Sequence, residues 1–101
     1  MSQPVTKEQR SLFLPSAIIP LGFQYIDDLS TVQSLSPPQH SRFCYFHHSV
    51  QICSWRDDEV DPTDAIGMFT TIAPFLYTGD LTKIKFIERT AGAKLHISFY
   101  H

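Results

Sequence analysis

Residues 83–101 read KIKFIERTAGAKLHISFYH, and the way the two halves of this stretch pair decides the fold. Both halves alternate apolar and polar residues. Successive side chains on extended backbone leave opposite faces, so Leu95, Ile97 and Phe99 point one way and Lys94, His96, Ser98 and Tyr100 the other. In the first half Ile84 and Phe86 share a face with Glu88, and Lys83, Lys85, Ile87 and Arg89 occupy the opposite face. Read as a hairpin, an even loop (Ala91-Gly92, or Thr90 to Ala93) sets Phe86 opposite Ile97 and Ile84 opposite Phe99. A three-residue loop ending on Gly92 instead turns Lys83 and Lys85 to the face of Leu95 and Phe99. Burial selects the even loop, because a one-residue slip moves a whole side-chain set to the wrong side. Ala-Gly is a poor type I′ pair, which favours the four-residue loop with Gly92 in the left-handed region.

That register gathers Lys83, Lys85, Arg89, Lys94 and His96 on one face with Tyr100 beside them, a candidate binding surface. It holds four of the eight Lys and Arg residues. The acids collect elsewhere. DDEVDPTD, residues 57–64, carries half of the ten carboxylates, and Asp57, Asp58 and Glu59 form a candidate acidic surface. The formal net charge of −2 therefore hides an asymmetry along the chain.

The length of 101 residues suits one domain, 1–101, with a single core, and residues 1–15 read as a short helix or an N-terminal arm. Apolar residues at 43% and charged residues at 18% fit a globular chain rather than a disordered one. The longest apolar stretch, LFLPSAIIPLGF, is broken by Pro15, Ser16, Pro20 and Gly22, so no membrane span is expected. It also lacks a small-x-small cleavage site, which argues against a signal peptide. Two cysteines and no asparagine fit the cytoplasm.

Along the chain, Thr6 with Gln9 resembles a capping box, and GFQYI reads as a strand. RFCYFHHSVQICSWRDD, residues 42–58, reads as a hairpin turning at His48-Ser49, with Cys44 opposite Cys53, Tyr45 opposite Ile52 and Phe46 opposite Gln51. DPTDAIGMFTTIAPFLY, residues 61–77, predicts a helix. Asp61 suits the N-cap and Pro62 the first helical position, while Ile66, Phe69, Ala73 and Leu76 recur at helical spacing. The expected fold is α+β, a single small domain with an antiparallel sheet of about four or five strands and one main helix packed on one face.

Signatures of chemistry are weak. His40, Cys44, His47, His48 and Cys53 lie close in sequence, but Cys44 and His47 project to opposite faces of a strand and no Cys-x-x-Cys occurs. Neither a metal nor a cofactor is expected. A Cys44–Cys53 disulfide fits hairpin geometry, but it would be reduced in the cytoplasm. There is no nucleophile elbow, phosphate loop or EF-hand pattern. These readings rank a non-catalytic protein-binding module first, of the inhibitor, immunity or antitoxin-like, or assembly-adaptor kind. Nucleic-acid binding through the basic hairpin face comes second, and a small enzyme third. An overall pI near 6.2 and the acidic run weigh against a polyanionic partner.

Overall fold

The computed structural model describes residues 18–101 and shows eight strands, with no helix among them. They are β1 (Pro20–Ile26), β2 (Gln33–Ser34), β3 (Phe43–Ser49), β4 (Cys53–Arg56), β5 (Met68–Phe69), β6 (Phe75–Tyr77), β7 (Lys85–Glu88) and β8 (Lys94–Tyr100). Two antiparallel four-stranded sheets result, in the orders β1-β8-β3-β6 and β2-β7-β4-β5. The expected α+β class is thus replaced by an all-β sandwich. The capping box at Thr6 and the short N-terminal helix lie outside the described residues.

The core forms where the inner faces meet. Phe46 of β3 is fully buried. Its ring centroid lies 5.0 Å from that of Phe86 and 5.7 Å from that of Trp55, both in the other sheet. Leu95, Ile97 and Phe99 from β8 and Ile84 and Phe86 from the β7 segment join it in the interior. The alternation of residues 83–101 therefore reports correctly which side chains go inside.

The pairing is different from the expected hairpin. β7 hydrogen-bonds to β4 and β2, and β8 hydrogen-bonds to β1 and β3. The two strands face each other across the core instead of lying side by side. Phe86 is opposite Trp55 and Gln33, and Ile97 is opposite Phe46 and Gln24. Gly92, at φ 98°, lies in the link that carries the chain from one sheet to the other. The link's Gly92 N–H donates to Glu88 Oε1 at 3.3 Å.

The expected 42–58 hairpin is an arch of the same kind. β3 pairs with β8 and β6, while β4 pairs with β7 and β5. The turn is tight: Gln51 N–H donates to the Ser49 carbonyl at 2.8 Å, and Val50 takes φ 71°. Cys44 and Cys53 consequently enter the core from opposite sheets as free, buried thiols. Only β4 and β5, among successive strands, are neighbours in one sheet.

The expected helix over 61–77 is absent for reasons visible in the same residues. Thr63 Oγ1 accepts the N–H groups of Ala65 and Ile66, a local turn that competes with helical bonding. Gly67 sits at φ 147°, outside helical space. Thr70, Thr71 and Ile72 are β-branched, and Pro74 follows them. Ile66, Phe69, Ala73 and Leu76, the intended buried stripe, are all exposed. Asp61 is bonded to Lys85 rather than capping a helix.

Candidate functional site

The basic row does not exist as one surface. Because β7 and β8 belong to opposite sheets, their outward side chains lie on opposite outer faces of the sandwich. Lys85 and Arg89, preceded by Lys83, go with the β2-β7-β4-β5 sheet; Lys94, His96 and Tyr100 go with the other.

The cations are also engaged within the chain. Lys83 Nζ lies 2.9 Å from Glu59 Oε1, and Lys85 Nζ lies 3.0 Å from Asp61 Oδ1. Arg89 Nε donates to the Asp64 carbonyl at 2.9 Å, and its guanidinium carbon lies 4.0 Å from the Phe69 ring centroid. Lys94 pairs with Asp27, and Arg56 pairs with Asp58. The hydrogen-bonded ammonium of Lys83 holds the Glu59 carboxyl below its usual range, and Lys94 does the same for Asp27. Asp57 accepts a 2.7 Å bond from the Tyr77 hydroxyl, whose pKa is raised by burial and by that bond.

The acidic run thus folds over the outer face of its own sheet. Pro62 is buried there. Ser54, which points outward from β4 between Ile87 and Phe69, is fully buried and its Oγ has no hydrogen-bond partner. Gly67 closes this cover. A Cβ at that position would sit 3.2 Å from Ser54 Cβ and 3.0 Å from the Trp55 carbonyl oxygen. A positive φ and a close backbone approach both require glycine here.

The outer face of the other sheet is aromatic, and none of the described segments folds over it. Phe43 stacks on Tyr100 with centroids 5.4 Å apart, and Tyr45 meets Tyr100 edge-on at 5.6 Å. His47 and His96, directly opposite on β3 and β8, stack at 4.8 Å with rings 5° apart. Ser49 Oγ lies 2.9 Å from His96 Nε2. Burial lowers the His96 pKa, and the neighbouring His47 lowers it further. A shallow cleft of about 350 Å³ runs across this face between Phe23 and Pro74, floored by Tyr45, His47, His96 and Ser98. No formally charged Asp, Glu, Lys or Arg lines it.

The cysteine and histidine group does not converge. No cluster of three or more His, Cys, Asp or Glu side chains able to hold a metal occurs among the described residues. Burial pushes the Cys44 thiol up to about 12 and Cys53 to about 11, so both are protonated at neutral pH. His48 is buried, and its Nδ1 lies 2.7 Å from Thr70 Oγ1, which also accepts the Cys53 N–H at 3.0 Å. This network pins the β5–β6 segment to the core.

That segment carries exposed apolar residues the sequence reading missed: Met68 and Phe75 share the registers of core-facing Trp55 and Phe46 along the flank, while Phe69 and Leu76 turn to the outer faces of their two sheets. β5 and β6 are edge strands of different sheets, joined by residues 70–74 along one flank of the sandwich. Met68 is 61% exposed, Ile72 78% and Leu76 46%, with Phe69 and Phe75 also exposed. These residues were assigned to a helix, and their helical spacing concealed that they would face outward. No protein-family model, curated protein or solved structure matches the chain.

Proposed function

We propose that this chain is a non-catalytic protein-binding module of the assembly-adaptor or inhibitor kind, and that it engages its partner through the β5–β6 flank. One observation carries this reading. Met68, Phe69, Ile72, Phe75 and Leu76 are exposed within nine residues of chain, the densest run of exposed large apolar side chains among the described residues. Exposed apolar patches of this kind mark interaction sites on soluble proteins. The partner is a folded protein presenting aliphatic side chains, since the flank offers apolar contact with charge at its rim, Arg56, Asp57 and Asp58 beside Met68 and Arg89 over Phe69.

The disposition of charge favours this reading over nucleic acid. Phosphate binding needs cations free to displace counterions from one surface. Lys83, Lys85 and Lys94 are each paired with a carboxylate, and they divide between two faces.

Capture from source cells tests the reading, with Met68→Glu and Ile72→Glu as the comparison. Both positions are exposed, so the double variant should keep its unfolding transition. The expected result is one stoichiometric protein retained by the wild type and lost from the variant. Recovery of nucleic acid, or equal retention of that protein by the variant, overturns the assignment.

A further inference from the structure

The opposite flank presents an edge of a different kind. Among the described residues β1 is the edge strand that pairs with β8 alone. Edge strands are ordinarily kept short, charged or covered, because their free N–H and C=O groups invite another strand. β2 and β5 have two residues each and β6 has three, following Pro74. β1 has seven, PLGFQYI, without a single charge.

The free groups on β1 follow from the pairing. Arg42 N–H donates to the Tyr100 carbonyl, so Tyr100, Ser98 and His96 turn their backbone groups towards β3. Phe99, Ile97 and Leu95 then turn theirs towards β1, where they meet Gly22, Gln24 and Ile26. Phe23 and Tyr25 are left with backbone groups directed to the edge, where none of the described strands pairs with them. Their side chains are exposed on the outer face, Phe23 at 63%.

We propose that β1 pairs antiparallel with β1 of a second copy of this chain, about a twofold axis at Gln24. In that register Phe23 of each copy lies opposite Tyr25 of the other. Both residues offer free backbone groups, so each such pair closes two hydrogen bonds. Residues directly opposite share a face, which places the aromatic pairs outside and keeps both sandwich cores on the same side. Asp27 and Asp28 of the two copies fall at opposite ends of the ribbon, so like charges do not meet. The strand is self-complementary, and this singles out a second copy as the occupant. The two four-stranded sheets become one eight-stranded sheet with aromatic residues along its outer surface. This contact is independent of the β5–β6 flank, and its failure leaves that reading standing.

Sedimentation equilibrium from low to high micromolar concentration tests the pairing. Wild type is expected at twice the chain mass. Phe23→Lys with Tyr25→Lys sets four cations in two opposed rows and is expected at the single chain mass with unchanged secondary structure. Gln24→Cys gives an independent readout. Opposed residues at the axis are about 4.5 Å apart between Cα atoms, within disulfide reach. Mild oxidation should therefore cross-link that variant and leave wild type, whose two thiols are buried, uncross-linked. A wild type that stays at the single chain mass throughout overturns the proposal. So does a dimer that survives in the lysine variant, or a Gln24→Cys protein that never cross-links.

Discussion

The two sheets present outer faces built from similar alternating strands, yet they end in different states. On the β2-β7-β4-β5 sheet, Glu59, Asp61 and the Asp64 carbonyl come down on Lys83, Lys85 and Arg89, and residues beneath them such as Ser54 are sealed from water. On the β1-β8-β3-β6 sheet no segment among the described residues crosses, and Tyr45, His47, His96 and Tyr100 stand half-exposed. The difference lies in the links rather than the strands. β4 and β5 are joined by residues 57–67, long enough to fold over the sheet, while β7–β8 and β3–β4 cross between sheets in a few residues. A polar outer row therefore has two fates. It can be solvated and open to a partner, or it can be bound by its own chain.

Adjacent residues on β3 sharpen the contrast between inside and outside. Phe46 is enclosed by four aromatic rings, including Trp55 and Phe86 from the opposite sheet. Phe46→Ala should cost about 3–5 kcal/mol, the range for a large buried aromatic. Tyr45, one position away, is half-buried on the outer face and touches Tyr100 edge-on. Tyr45→Ala should cost about 0.5–1.5 kcal/mol, the scale of an aromatic pair. Urea unfolding of both variants measures the gap. Equal losses would mean that the aromatic outer face is packed as tightly in this chain as its core.

Part of this contrast could be read from the sequence. Alternation separated Ile97 from His96, because burial acts on each strand independently, but the 42–58 reading paired Phe46 with Gln51 and Tyr45 with Ile52 and assigned neither to the core. Alternation could not choose between two strands side by side and two strands face to face, since both arrangements bury Phe86 with Ile97. The basic surface depended on that choice. Side by side, the outward rows merge; across a core, they lie on opposite sides of the molecule. The helix over 61–77 failed differently. Asp61 and Pro62 are genuine signals of a chain turn, but Thr63 and Gly67 complete a cover over β4 instead. The strand at β1 was legible, and the flank at β5–β6 was not, because its exposed residues happen to repeat with a helical period.

Histidines on the two sides of β3 and β8 allow a smaller test. Burial, and then His47, lower the pKa of His48 inside the sandwich, and the same causes lower that of His96 outside. The unfolded chain titrates these groups near 6.5 and so binds more protons than the folded chain just below that pH. Stability should rise with pH across this window and fall on acidification from pH 7 towards pH 5. Asp27, Asp58 and Glu59 shift in the same direction but titrate in a lower window. Their pKa values are depressed by hydrogen bonds to Lys94, Arg56 and Lys83, so their share persists until the pH drops below about 4. His48→Gln should remove part of the pH 7-to-5 loss in the urea midpoint and leave the acid limb unchanged. An identical pH profile in wild type and variant would place the proton uptake elsewhere.

The smallest effect expected concerns the cover itself. Lys83→Gln with Lys85→Gln removes the partners of Glu59 and Asp61 but leaves Pro62, Gly67 and the Arg89 contact in place. Exposed ion pairs contribute little to global stability, because water already solvates both members and salt screens them. The urea midpoint should therefore scarcely move. Local opening has its own free energy, however, and a cover held partly by charge should open more often once the charges are gone. Amide exchange over residues 58–66 should quicken in the double variant, and high salt should have the same effect on wild type. Lys94→Gln is the matched control, because its partner Asp27 lies on the other sheet, away from the 57–67 cover. It should leave residues 58–66 unchanged. If exchange there is the same in all three proteins, the cover is held by Pro62 and Gly67 packing against β4. The meeting of acidic run and basic row would then be a consequence of the fold rather than a cause of it.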